Sequence, residues 1–581
     1  MNPKRTIETG KKGPSPTPWL QGVAAYQTPA LFAPIDLRLD GNEGMAPPLS
    51  LLQALGAEGA EVMRRYPDTA VLRDLLASRW KVEPAQVLVT AGGDDAIDRI
   101  CRAFLCAGRQ LIQAVPTFEM IGRYARLTGA TVTSLPWPAG PYPTERVLAA
   151  AGQDTAVIAV VSPNNPTGAV ARPADLEALA REVPQAVLLV DLAYGEFADE
   201  DLMTTALSLP NAIAVRSLSK AFGLAGLRVG CAVGSAALIS SLAAAGHPYA
   251  VSRPSLALAA ARLTGGEEEV CAYIGRVKEE RQALCGVLAA LGAAALPSQG
   301  NFVLCRFARA EWLREALAGL GIAVRIFPGQ PELEGHLRIT CPGEPGLFSR
   351  LERALGAAMA PQALLLDMDG VIADVSQSYR RAIQATARFF GVELSAGDIS
   401  AAKKEPGSNN DWVVTRRLLL GHGRDIPLPE VTARFELFYQ GGGENEGYSL
   451  AERLTCDPDL LRRLSRRLAL GVVTGRPRAD ALRFLKRAGV ADCFQLLVCM
   501  EDSLPKPDPA PVRLALERMN LTRAWMVGDT PDDLVAARGA GVVPLGMIAP
   551  GEDPTTARDT LLRAGAARVL TRLEEVEGWL P

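Results

Sequence analysis

Two groups of residues in this chain have the types and spacing of catalytic machinery. The first is Arg216-Ser217-Leu218-Ser219-Lys220, followed after a short glycine-containing step by Arg228. A lysine becomes a nucleophile only on losing its proton, which a neighbouring positive charge or desolvation promotes. Arg228 is near in sequence, and Ser217 and Ser219 offer hydroxyl donors to a phosphate. The second group is Leu364-Leu365-Leu366-Asp367-Met368-Asp369-Gly370, an apolar run ending in two alternating carboxylates. One such carboxylate can attack phosphorus while the other moves a proton.

Each group has companions at the ends of other apolar runs. Asp191 closes Val187 to Val190, where a carboxylate is costly unless paired. A pyridinium nitrogen suits it, and holding that nitrogen protonated makes the ring an electron sink. Tyr194 and Asn165, the latter in Pro163-Asn164-Asn165-Pro166-Thr167-Gly168, can bond a ring phenolate oxygen. Gly92-Gly93-Asp94-Asp95 joins a strand pattern to a helix pattern, where amides and helix dipole make an anion site. In the second group, Asp529 also closes an apolar run, with Asp533 placed to orient it. Thr474 and Gly475 offer a hydroxyl and an amide to phosphoryl oxygens, and Lys506 can offset transition-state charge. Carboxylates crowded beside a phosphate imply Mg²⁺, with Asp367, Asp369 and Asp529 as its expected ligands. Any one of these strings alone is a common turn. Their joint order on successive strand ends is what points to chemistry.

The elements that must position them alternate throughout. Val157 to Val161 and Val187 to Val190 read as buried strands, and Ile97 to Leu105 and Leu176 to Val183 as amphipathic helices. This is βα alternation with parallel strands, an α/β fold class. A chain of 581 residues exceeds one hydrophobic core. The expected division is a tail over 1–19, a first unit over 20–357, a linker over 358–362 and a second unit over 363–581. A mostly helical insertion over about 376–460 reads as a cap above the strand ends, where open α/β sheets place ligands.

With 48% hydrophobic residues, 22% charged and a net charge of −3, nothing suggests a nucleic-acid surface. No run is apolar enough for a membrane span and no signal peptide is evident. The ten cysteines are scattered, with no Cys-x-x-Cys pair. Reduced thiols in a cytoplasm are the expectation. Three distant histidines argue against a histidine-rich metallohydrolase.

Residues from about 20 to 357 resemble fold-type I aminotransferases of the histidinol-phosphate aminotransferase group. The matching strings are Arg65-Tyr66-Pro67-Asp68, Pro116-Thr117-Phe118, Ser162 to Gly168, Val190 to Tyr194, Ser217 to Arg228 and Leu337-Arg338-Ile339-Thr340. The resemblance implies pyridoxal 5'-phosphate held covalently by Lys220, which also shuttles the proton. Phe118 would stack on the ring, and Gly93, Asp94, Ser217, Ser219 and Arg228 would hold its phosphate. Tyr66 would reach the cofactor of a second subunit, which implies a homodimer. Arg338 would bind the anionic end of the substrate, in a pocket lined by Tyr26 and Asn42. The family's Asn-Glu-Asn-Pro string stands here as Asn42-Glu43-Gly44-Met45, and its Ser-Asp-Glu as Gly93-Asp94-Asp95. Threonine-phosphate decarboxylases and broad amino-acid transaminases share most of these residues, so the substrate stays open.

Residues 363–581 resemble the haloacid-dehalogenase superfamily, a Rossmann-like fold, in its capped branch related to phosphoglycolate phosphatase. That resemblance implies a phosphatase with Asp367 as nucleophile and Asp369 as acid and base. Lys403, Lys404, Asn409, Asn410, Asp411 and Trp412 could read its substrate from the cap or simply end a helix. Three readings follow. Both halves serve one route, transamination between imidazoleacetol phosphate and histidinol phosphate with glutamate, then dephosphorylation. Or both are active on unrelated substrates. Or one half only binds and regulates.

Overall fold

The computed structural model describes residues 15–20, 25, 31–56, 59–403, 410–442 and 446–581. The apolar runs of the first half form a seven-stranded sheet. Its order is Val87–Thr90, Gly230–Gly234, Ala212–Ser217, Val187–Asp191, Thr155–Val161, Gln110–Val115, Thr131–Pro136. Gly230–Gly234 runs antiparallel to both neighbours, and the remaining pairs are parallel. Thr155–Val161 and Val187–Asp191 are buried along their whole length. Successive side chains alternate between faces, so both faces need cover. Leu189 packs with Ile97 and Ile100 of helix Gly92–Phe104 on one side. Leu188 and Val190 join the cluster containing Leu176 and Leu179 of helix Pro173–Glu182 on the other. The sheet thus delivers Asp191 and Ser217 at neighbouring strand ends.

A smaller unit completes the first half. Leu37–Leu39 pairs in parallel with Ile322–Val324. Phe302–Arg306 lies antiparallel between Ala294–Ala295 and His336–Thr340. The chain then enters helix Pro345–Met359 and reaches strand Ala363–Leu366 after three residues. The linker expected over 358–362 therefore shrinks to 360–362. Gly356-Ala357-Ala358-Met359 can continue a helix, and Pro361 cannot.

The second half is a parallel six-stranded sheet: Leu496–Val498, Ala469–Val473, Ala363–Leu366, Ala524–Gly528, Val543–Met547, Arg568–Leu570. The two-residue strands Ala373–Asp374 and Arg453–Leu454 pair below the insertion. Between them stand helices Tyr379–Phe389, Ala396–Lys403, Asp411–Gly421 and Leu428–Gln440. Ile383, Leu419, Val431, Phe435 and Tyr439 give this insertion its own apolar core.

The halves share a packed interface. Trp312 of the first half lies 4.5 Å from Trp525 and 6.3 Å from Trp579 of the second, centroid to centroid. Both indole nitrogens at its centre donate to the connecting helix, Trp525 to Ala357 O at 2.8 Å and Trp312 to Ala358 O at 3.1 Å. Arg538 donates to Pro34 O at 2.6 Å, and Arg568 pairs with Glu315. Trp525 belongs to a central strand, so excising the second half would uncover its core. Trp312→Ala is expected to cost about 3–5 kcal/mol of stability, as buried Trp truncations do. Urea unfolding of the whole chain measures it. A loss under about 1 kcal/mol would mean that the cluster is not the tie between the halves.

Candidate active sites

The first pocket collects most residues singled out in the sequence. Gly93, Asp94, Phe118, Asn165, Asp191, Tyr194, Ser217, Ser219, Lys220, Arg228 and Arg338 all line it. Lys220 Nζ donates to Gly41 O at 3.1 Å and lies 5.7 Å from the centroid of the Tyr194 ring. Asp191 is buried, with the Ala193 amide donating to its Oδ1 at 3.0 Å. Burial pushes its carboxyl up to about 6. Gly93 and Asp94 begin helix Gly92–Phe104, and Phe118 caps helix Glu119–Leu127. Arg228 has a left-handed backbone, φ 53°, and its Nη2 donates to Asp94 Oδ2 at 2.9 Å. Gly92 has φ 81°, a backbone that strains any L side chain, and a Cβ there would also push aside the same Nη2 at 2.7 Å.

These residues fit pyridoxal 5'-phosphate. Among the described residues, the buried Ser219 hydroxyl has no hydrogen-bond partner, as a phosphate donor would before its ligand arrives. Asp191, buried with one amide donor, calls for a cationic ring nitrogen. Gly93, Asp94, Ser217, Ser219 and Arg228 would hold the phosphate, and Tyr194 and Asn165 the phenolate oxygen.

One expectation comes out differently. Asn42 does not line the pocket. It is 1% exposed and stands behind Tyr194, its Nδ2 donating to the Tyr194 hydroxyl at 3.0 Å. Its Oδ1 accepts from Thr340 Oγ1 at 2.8 Å, so both ends of the amide are spent on positioning. Tyr66 is 76% exposed, stacked on Tyr249 at 4.6 Å, and is not among the pocket residues of its own chain. Tyr26 lies outside the described residues.

Sequence reasoning also missed Arg325, which lines the same pocket. It follows the buried strand Ile322–Val324 and exchanges backbone hydrogen bonds with Arg338, each at 3.0 Å. A charge directly after a buried strand was the available signal, the same one that marks Asp191. Arg338 itself donates to Asn165 Oδ1 and Asp40 O, each at 2.6 Å.

The second pocket is lined by Asp367, Asp369, Gly475, Lys506 and Asp529. Asp367 directly follows the strand Ala363–Leu366 and is buried. Burial pushes it up to about 7, against the pull of Lys506. Lys506 Nζ donates to Asp367 Oδ1 at 2.6 Å and to Val473 O at 3.1 Å, and pairs with Asp533. Burial alone would discharge the lysine, but Asp367 and Asp533 hold it charged. Thr474 is buried and its Oγ1 accepts from the Arg476 amide at 3.1 Å, which shapes the loop that presents Gly475.

The carboxylates that converge are Asp367, Asp529 and Asp533, with ligand atoms within 4.8 Å of one another. Asp369 is not in that cluster, against expectation. Its side chain turns to Arg476, whose Nε donates to Asp369 Oδ1 at 2.6 Å. Asp533 approaches over Gly528, where a Cβ would collide at 2.1 Å. Gly370 likewise clears room for Asp529, its missing Cβ standing 2.3 Å from Oδ2. Three convergent carboxylates in a glycine-cleared space suit Mg²⁺, an oxygen-seeking cation.

From the insertion, Arg380 and Asp411 reach this pocket, and Arg380 pairs with Glu552 of the sheet unit. Asn410 is a helix cap, its Oδ1 accepting from the Trp412 and Val413 amides at 3.0 and 3.2 Å. Trp412 Nε1 donates to Glu436 at 3.0 Å. Lys404 and Asn409 lie outside the described residues, as does the Lys403 side chain. No described helix is long and apolar enough to cross a membrane. All ten cysteines are unpaired.

Comparison with known proteins agrees with both geometries. Residues 38–351 match the family model for class I and II aminotransferases, and residues 361–541 that for haloacid dehalogenase-like hydrolases. The chain is 45% identical over 226 residues to an imidazoleglycerol-phosphate dehydratase of Phytophthora nicotianae. That match covers 36% of this chain and 50% of the relative, so the chain spans half of that relative's length. It is 35% identical over 345 residues to an aromatic amino acid aminotransferase of Mycobacteroides abscessus, covering 58% of this chain and 98% of the relative. It is 33% identical over 333 residues to a histidinol-phosphate aminotransferase of Thiobacillus denitrificans, covering 56% and 85%. The fold of the first half is that of the Sinorhizobium meliloti histidinol-phosphate aminotransferase solved with pyridoxal-5'-phosphate. The TM-score is 0.54 at 24% identity, over 60% of this chain and 99% of that one.

Proposed function

We propose that this chain, which belongs to the class I and II aminotransferase family and carries a haloacid dehalogenase-like hydrolase domain behind it, performs two consecutive steps on one phosphorylated substrate. The first is transamination between imidazoleacetol phosphate and histidinol phosphate, with glutamate as the amino donor. The second is Mg²⁺-dependent release of phosphate from histidinol phosphate. The observation that carries the reading is that Arg325 and Arg338 both line the first pocket of a chain whose second half is haloacid dehalogenase-like. Two guanidiniums suit an anion of more than one charge, a phosphate or a dicarboxylate's far end. Relatives named for histidinol phosphate and imidazoleglycerol phosphate support the same choice.

In the first pocket the cofactor, when bound, supplies an electron sink for the substrate's α-carbon. The chain supplies the rest. Lys220 holds the cofactor and carries the proton at its Nζ. Asp191 keeps the ring nitrogen protonated. Arg338 and Arg325 orient the substrate's anionic group. Asn42 fixes the Tyr194 hydroxyl through its 3.0 Å bond.

In the second pocket, Asp367 attacks phosphorus and the bond from phosphorus to the leaving oxygen breaks. That oxygen keeps the electron pair and takes a proton from Asp369. Water then attacks the phosphorylated Asp367, giving its proton back to Asp369. Inorganic phosphate leaves and both side chains are restored. Lys506 and the Gly475 amide face the transferred oxygens. Asp367, Asp529 and Asp533 would hold Mg²⁺, which neutralises the charge gathered there.

A second reading has support of its own. The 35% identity to an aromatic amino acid aminotransferase, with Phe118 and Phe327 in the pocket, favours an aromatic amino acid in the first site. Initial rates with histidinol phosphate and with phenylalanine, each against 2-oxoglutarate, decide between them. Faster turnover of phenylalanine would refute the consecutive-step proposal.

Tyr66 supports a homodimer through the first half. Its ring is exposed together with Met63, Val71, Leu49 and Leu52, and it does not serve its own pocket. Sedimentation velocity is expected to find a dimer, and Tyr66→Phe to weaken cofactor retention without dissociating it. A fully active monomer would refute this.

A further inference from the structure

We propose that Arg476 is the positioning residue of the second site, aiming Asp369 at the leaving oxygen according to how the helical insertion sits. The inference rests on the proton-donor role given to Asp369 above. Arg476 is 2% exposed, yet its guanidinium touches groups from three parts of the fold. Nε donates to Asp369 Oδ1 at 2.6 Å, and Nη2 pairs with the same oxygen. The guanidinium grips one carboxylate oxygen and leaves the other, Oδ2, for the leaving group.

The far side of the guanidinium is held by the insertion and its return. Nη1 donates to Glu452 Oε2 at 3.0 Å and to the Tyr439 hydroxyl at 3.3 Å. Its carbon lies 5.0 Å from the centroid of Tyr379, which stacks on Tyr439 at 4.4 Å. Tyr379 opens the first helix of the insertion, and Tyr439 lies near the end of the last. Glu452 is equally buried, and both Ser378 Oγ and the Tyr439 hydroxyl donate to its Oε1, at 2.8 and 3.0 Å. At the base, the Arg476 amide donates to Thr474 Oγ1, so its backbone is part of the loop that meets the phosphate.

Charge and shape assign the role. Asp369 and Glu452 both form ion pairs with Arg476, and its directed N–H bonds fix where the Asp369 carboxylate points. A buried arginine needed only to balance Glu452 would not also reach a carboxylate in the pocket. Tyr379 and Tyr439 belong to the first and last helices of the insertion, and Glu452 directly precedes the strand Arg453–Leu454 on the return. A shift of the insertion would therefore displace the guanidinium, and Asp369 with it. The insertion would sense the substrate and the arginine would relay its position to the proton donor.

The test reads the first turnover of the full-length holoenzyme with Mg²⁺. Two probes differ in their need for an acid. p-Nitrophenolate leaves without a proton, whereas an alkoxide does not. The alkyl probe is whichever of histidinol phosphate, threonine phosphate and glycerol phosphate the parent chain hydrolyses fastest. Arg476→Gln is expected to slow the first turnover of the alkyl probe by about 100-fold or more, the usual worth of a placed acid. It should slow p-nitrophenyl phosphate by less than about 10-fold. Arg476→Lys should recover part of the alkyl rate. Tyr439→Phe keeps the ring and removes the hydroxyl's contacts with Arg476 and Glu452, and should show the same selectivity more weakly. It serves if Arg476→Gln does not fold. Equal losses on both probes in Tyr439→Phe and Arg476→Lys would reduce Arg476 to a structural residue and overturn the proposal. So would a full alkyl rate in a folded Arg476→Gln. If the parent chain hydrolyses neither probe, the phosphatase reading itself falls, a failure recognisable before any variant is made.

Discussion

Lys220→Ala is expected to abolish transamination, by about 10⁴-fold or more, while phosphate release continues at the parental rate. The size follows from removing the amine that, among the described residues of the pocket, can both hold the cofactor and carry its proton. Among the described residues, the other cations lining the pocket are Arg38, Arg228, Arg325 and Arg338, and a guanidinium does not deprotonate in a protein. The variant should fold, because Lys220 makes one side-chain hydrogen bond, to Gly41 O, and closes no core. Borohydride treatment followed by peptide mass spectrometry gives a readout independent of rate. In the parent chain the cofactor should be found on Lys220, and in the variant on no peptide. A variant that transaminates at the parental rate would remove Lys220 from the site. A variant that also loses phosphate release would mean that the halves are coupled through more than the tryptophan interface.

The legible part of this protein was its strand ends. Asp191, Asp367 and Asp529 follow or close apolar runs that read as buried parallel strands. A polar residue there must emerge at the sheet edge. The helical insertion was readable too, because its apolar spacing is independent of the sheet. What sequence could not supply was the direction of side chains beyond the strand. Asp369 sits two residues after Asp367, and alternation alone sends both carboxylates the same way. The chain turns at Gly370, and Arg476, more than a hundred residues on, claims Asp369 for itself. Asp533 then takes the expected place. Asn42 fails for a related reason. Its motif marks a residue near the cofactor, but whether it faces the pocket or stands behind Tyr194 depends on Thr340, a partner distant in sequence. The interface between halves was also hidden, since nothing in the sequence pairs Trp312 with Trp525 and Trp579.

Asp367→Asn is the complementary experiment, and it separates the consecutive-step proposal from its rivals. Asparagine keeps the shape but removes the nucleophilic carboxylate, and losing a nucleophile costs on the order of 10⁴-fold or more. It also removes one of three carboxylates that would hold Mg²⁺ and one partner of Lys506. Lys506 retains Asp533, so the buried cation is not stranded and the second half should still fold. Transamination should be untouched, because no residue lining one pocket lines the other. Given imidazoleacetol phosphate, glutamate and Mg²⁺, the parent chain is expected to end at free histidinol, and the variant at histidinol phosphate. Chromatography of the products measures both. If the parent chain also stops at histidinol phosphate, yet hydrolyses another phosphomonoester in an Asp367-dependent way, then the second site serves a different substrate. The fusion would then join two enzymes by packing and not by a shared intermediate.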